Sequence, residues 1–177
     1  MGFLNVRRIR SLALLLGALL VSACGFHLRQ NVNLPAAMQR VHVDAREGSN
    51  LQRKLSRALE SAGVTVEDAR GPGIAELDVP TAAFSSDTLT SGGYARISEY
   101  AIHYTVKFRV TDAAGQTLVP MQTINMSREF SSDASNTIGN ASQVEQIQKS
   151  LDDDMVQAIM FRLQAAGSHP APATSVR

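Results

Sequence analysis

The stretch Tyr100-Ala101-Ile102-His103-Tyr104-Thr105-Val106-Lys107-Phe108-Arg109-Val110-Thr111 decides the fold of this chain. Apolar Tyr100, Ile102, Tyr104, Val106, Phe108 and Val110 alternate with Ala101, His103, Thr105, Lys107, Arg109 and Thr111. An alternation sustained over about a dozen residues predicts a long strand with one buried face, the habit of an antiparallel sheet covered on a single side. Asp112-Ala113-Ala114-Gly115 follows as a hairpin turn. The next run places Leu118, Ile124, Met126 and Phe130 on one face and Thr123, Asn125 and Ser127 on the other. Pro120 has no N–H to give to a ladder and implies an edge position or a bulge there.

Working outward, Val41-His42-Val43-Asp44-Ala45 alternates as a short strand. Ser49 or Asn50 can then cap a helix whose apolar positions are Leu51, Leu55, Ala58, Leu59 and Ala62, with Gly63 suited to the position after its end. A strand starts over 64–67, is interrupted by Arg70-Gly71-Pro72-Gly73, and resumes with Ala75, Leu77 and Val79. On the C-terminal side, Ser142-x-x-Glu145 reads as a capping box. Beyond it Val144, Ile147, Leu151, Met155, Ala158, Ile159, Leu163 and Ala166 draw one apolar stripe along a helix of about six turns. The order strand, helix, strand, strand, strand, helix predicts an α+β fold. It is a two-layer sandwich, with two amphipathic helices packed on one face of a mostly antiparallel sheet of about four strands. The other face, bearing His103, Thr105, Lys107 and Arg109, is left open and polar.

Cys24 is the only cysteine among 177 residues, and it closes the string Val21-Ser22-Ala23-Cys24. A basic segment (Arg7, Arg8, Arg10) and an apolar run over 12–21 precede it, the layout of an export signal. Roughly ten apolar residues are too few to span a bilayer, which needs about 20. Small Ser22 and Ala23 suit a signal peptidase, and the thiol just after the cut can carry a diacylglycerol. The string matches the lipobox of bacterial lipoproteins. The alternative is an ordinary secretory signal followed by an unpaired structural cysteine, an unusual state in an oxidising compartment. No Asp follows Cys24, only Gly25 and Phe26. By resemblance to other bacterial lipoproteins the anchor then belongs in the outer membrane of a Gram-negative cell, facing the periplasm. The expected organisation is a signal over 1–23, a lipidated lead-in over 24–36, a domain over 37–167 and a disordered, Pro-containing tail over 168–177.

Loss of the three leader arginines leaves 14 basic against 16 acidic residues, so no basic excess points to nucleic acid. Trp is absent and aromatics make up 5 %, which calls for an aliphatic core. Histidines 27, 42, 103 and 169 share no metal-ligand spacing. Asp152-Asp153-Asp154 occupies successive helical positions that cannot converge on one ion, and reads as a solvated helix face. Ser91-Gly92-Gly93 lacks the Lys of a phosphate-cradling loop, and there is no G-x-S-x-G elbow. The chain offers an anchor and surfaces rather than catalytic, metal or cofactor chemistry.

Cys24-Gly25-Phe26-His27-Leu28-Arg29, then Leu34-Pro35 and a strand, resembles the start of the mature chain in the LptE (RlpB) family of lipopolysaccharide-assembly lipoproteins. Further matches are Leu59-x-x-x-Gly63-Val64, the strand opening at Glu99-Tyr100, the pair Arg128-x-Phe130 and the long final helix. The resemblance covers essentially residues 1–166. Gln30 departs from it where the family commonly has Gly, and 131–141, read as the loop before the last helix, holds no Lys or Arg. The resemblance implies a non-enzymatic partner of the LptD outer-membrane β-barrel. Such a protein plugs the barrel lumen, helps the barrel assemble and assists lipopolysaccharide passage to the outer leaflet. Arg96, in the Gly/Ser loop over 91–98, and Lys107 and Arg109 on the open face are the candidate cations for lipopolysaccharide phosphates. A lipoprotein of a phospholipid-transport complex is the rival from another class.

Overall fold

Val41, Val43 and Ala45 point one way along β1 (Arg40–Ala45) and are buried, while the residues between them are half-buried. This strand lies second in a five-stranded sheet in a computed structural model that describes residues 33–45, 49–91, 97–133 and 137–168. Cys24, the leader, most of the lead-in, Arg96 and the tail after Ser168 lie outside the described residues.

The remaining elements are α1 (Ser49–Ser61), β2 (Thr65–Glu67), β3 (Ala75–Ser91), β4 (Ile97–Thr111), β5 (Thr117–Asp133) and α2 (Thr137–Ser168). Strand order is β2-β1-β3-β4-β5. Parallel pairing joins β1 to β2 (Val41 opposite Val66) and to β3 (Val43 opposite Leu77). Antiparallel pairing joins β3 to β4 (Ala82 opposite Val106) and β4 to β5 (Val106 opposite Ile124). The fold is the expected α+β one, with one strand more. The run over 64–79 forms two strands on opposite sides of β1, because the turn at Gly71-Pro72-Gly73, with Gly73 at φ +73°, sends the chain back across it.

α1 ends in a Schellman motif. Val64 N donates to Leu59 O (3.0 Å) and Gly63 N to Glu60 O (2.9 Å), with Gly63 at φ +89°. Buried Val64 and Leu59 are the apolar pair that accompanies it. α1 packs on β1 and β2, α2 on β5 and β4, and the helices pack on each other. Ile102, Tyr104, Val106, Phe108 and Val110 are all buried beneath them, as the alternation requires. Ala101, of the opposite phase, is buried as well, a small side chain between Asp87 and Glu129. In β5 Val119 rather than Leu118 is fully buried: three β5 steps from Val119 to Gln122 face two on β4, so the strand bulges at Pro120.

α2 begins at Thr137, so Ser142 lies inside the helix and the expected capping box is not its start. Likewise 131–133 belongs to β5, and the connection read over 131–141 shrinks to 134–136. The apolar stripe from Val144 to Ala166 holds, but Asp152 departs from a solvated face: it is 5 % exposed. At the far end of α2 a Cβ on Gly167 would overlap the Asn33 carbonyl and the backbone of Leu34 and Pro35. Residues 33–35 thus cross the end of α2 through the gap that glycine leaves.

Candidate functional site

On the open sheet face, the antiparallel register places His103, Thr105 and Lys107 of β4 between Ser85, Ala83 and Thr81 of β3 and Ser127, Asn125 and Thr123 of β5. The face is a lattice of short polar groups. Thr105 Oγ1 lies 2.9 Å from Asn125 Oδ1, and His103 Nε2 lies 3.2 Å from Asp87 Oδ2. Lys107 is exposed between two threonines.

Arg109 is committed to a partner. Its Nε and Nη2 both reach Asp78 Oδ2, at 3.0 and 2.9 Å, and Asp78 is buried. Toward β1 the same face carries three acidic side chains held by two arginines: Arg70 pairs with Asp44 (2.8 Å) and with Glu76, and Arg40 with Glu67 (2.8 Å). Of the three cations proposed from the sequence, Lys107 and Arg109 therefore share one face, the first open and the second paired. Arg96 lies outside the described residues. Among the described residues no three His, Cys, Asp or Glu side chains converge as metal ligands, and no helix is long and apolar enough to cross a membrane.

Two arrangements escaped the sequence reading. The first is a polar lock inside the helical layer. Asn50 Nδ2 of α1 donates to Asp152 Oδ2 of α2 at 2.5 Å, and Tyr104 of β4 hydrogen-bonds the same carboxylate from below. Lys54 Nζ lies 3.9 Å from Asp152, 2.7 Å from Asp153 Oδ1, and donates to Lys149 O at 3.2 Å. Burial, then the charge and hydrogen bond of Asp152, hold the Tyr104 phenol well above its ordinary pKa. The second is a cleft of about 380 Å³ between the far ends of β3, β4 and β5 and the first turns of α2. Its aromatic walls are Phe84, Tyr100 and Phe130. Phe84 stacks on Tyr104 (centroids 3.9 Å apart, 7°) and Tyr100 on Phe130 (5.5 Å, 23°).

Comparison with known proteins agrees with this geometry. Residues 32–163 match the family model LptE, described as lipopolysaccharide-assembly. Uncharacterized lipoprotein B of Nitrosomonas europaea superposes with TM-score 0.67 at 25 % identity, covering 82 % of this chain and 94 % of its own. Rare lipoprotein B of Shewanella oneidensis gives 0.61 at 17 %, covering 71 % and 94 %. A minor lipoprotein of Acinetobacter baumannii gives 0.60 at 19 %, covering 72 % and 92 %. The last two are alike in fold. No curated protein sequence matches significantly.

Proposed function

The chain belongs to the LptE lipopolysaccharide-assembly family, and from that premise we propose that it is an outer-membrane lipoprotein that plugs and helps assemble an LptD-type β-barrel. In this role it is anchored through Cys24, works without catalysis, and assists lipopolysaccharide delivery to the outer leaflet. The observation that carries the reading is the open sheet face. The middle of the β3–β5 face presents Ser, Thr, Asn and Lys side chains where a two-sided sandwich would bury apolar ones. Barrel lumens are polar and water-filled, and a polar sheet face is the kind of surface a plug can turn to such a lumen. Arg96 and Lys107 are the cations proposed to meet lipopolysaccharide phosphates.

The test is affinity purification of the full chain from native outer membranes in mild detergent. A large β-barrel should remain bound and should be depleted from cells lacking this protein. Recovery of a periplasmic or inner-membrane transport complex, with no barrel, would transfer the protein to the rival class of phospholipid-transport lipoproteins.

A further inference from the structure

Beneath α2 the apolar layer is closed around Val106 and Phe108 and opens toward the far end of the strands. Phe84, Tyr100, Phe130 and Val144 all face that layer, yet each stays only half-buried around the cleft of about 380 Å³. Protein interiors are close-packed, so a gap of this size bounded by aromatic rings lies in the range of ligand sites rather than packing faults. Among the described residues, the polar side chains that line it are uncharged: serines, Asn140 and Gln148. A charged group entering would lose its hydration with no counter-ion to replace it, whereas hydrocarbon gains with every methylene buried.

Charge is placed beside the cleft instead. Arg128 sits on the same sheet face, directly across the ladder from Ile102, a lining residue, and two residues from Phe130. Its Nη2 is 2.7 Å from Asp154 Oδ2, with both side chains nearly half exposed (46 % and 44 %). An exposed ion pair of this kind is weak, and a phosphate can replace the carboxylate with a bidentate contact. Ile138, near the start of α2, is 85 % exposed, a further apolar surface beside the cleft walls that Asn140 and Ala141 supply.

We propose that this cleft seats an acyl chain of lipopolysaccharide while Arg128 meets a phosphate of the same molecule. The inference rests on the lipopolysaccharide-handling part of the function proposed above and moves the lipid contact from the open face to the opposite one.

The test uses the full-length lipoprotein in living cells, with benzoylphenylalanine in place of Val144 or, on the open face, of Thr105. After irradiation the adducts are identified by mass. Lipopolysaccharide should be captured at 144 on the order of ten times more than at 105, and Ala141→Trp, which fills the cleft from its lip, should cut that capture by roughly tenfold. Arg128→Gln should lower it as well. Capture of glycerophospholipid or of protein alone at 144, equal capture at the two positions, or indifference to Ala141→Trp would each overturn the proposal. Barrel retention in mild detergent is read on the same variants. A retained barrel without lipid capture overturns the cleft and leaves the plug reading intact, whereas lipid capture without any barrel supports the cleft and removes the plug.

Discussion

Val106 and Thr105 are chain neighbours with opposite surroundings, and they measure how one-sided the sheet is. Val106 is fully buried under the helices; Thr105 lies half-buried on the open face between Ala83 and Asn125, 2.9 Å from the Asn125 amide oxygen. Val106→Asp should cost about 3–5 kcal/mol, the penalty of an uncompensated buried charge. Thr105→Asp should stay within about 0.5 kcal/mol of the parent, as surface substitutions do. Urea melts of the two variants check this, and equal losses would mean that the strand is covered on both faces. Gly63 is a second residue-scale test. At φ +89° with open space around its Cβ position, Gly63→Ala meets no clash, only the left-handed backbone. The expected loss is about 1–2 kcal/mol, visible as a lower midpoint with unchanged slope.

Among the elements, β4, α1 and the stripe of α2 were legible because each buries a regular face, and a regular face writes its period into the sequence. β3 was legible only to Val79. Its later covered-face positions are Ala82, Phe84 and Ser86, with a bulge between Asp78 and Thr81, so size and phase both fade where the cleft begins. The start of α2 was hidden for the same reason: its first turns wall a cleft and bury no regular stripe. The lock at Asp152 was invisible because Asn50 lies 102 residues away, and no local pattern separates a buried helical Asp from a solvated one. That lock sets the next prediction. Asp152→Ala should cost about 1–3 kcal/mol, since it takes the acceptor away from the Tyr104 hydroxyl and from Asn50 while Lys54 keeps Asp153. The phenol adds a pH dependence. Its pKa is raised on folding, so its contribution is complete below the unfolded value of about 10 and falls as pH climbs above that. Stability of the parent should therefore drop above pH ~10 more steeply than that of Tyr104→Phe, in melts followed from pH 8 to 11. Parallel curves would show that neither burial nor Asp152 raises the phenol's pKa on folding.

At the scale of the whole molecule, the two sheet faces differ: the covered face carries the core, and the open face is the one proposed above to meet the barrel. Folding and association should then separate by mutation. The double variant Thr105→Asp, Lys107→Glu moves the centre of the open face three charges toward negative without touching the core. Asn125 can turn its amide to donate to the new carboxylate, and Lys107 lies between threonines whose hydroxyls accept or donate alike. The melting temperature should stay within a few degrees of the parent, the size expected of roughly 1 kcal/mol in a domain of this length. Barrel recovery in mild detergent should fall steeply, because like charges and stranded polar groups at an interface core are costly. Part of it should return as salt is raised past the point where screening reaches the contact distance. Cys24→Ala supplies the opposite dissociation: the domain keeps its stability, and the chain leaves the membrane fraction or accumulates uncleaved. If the open-face double variant holds its barrel as firmly as the parent at low salt, the open face is merely solvated. The plug must then grip its partner through the helical side, where Phe161 stands 71 % exposed.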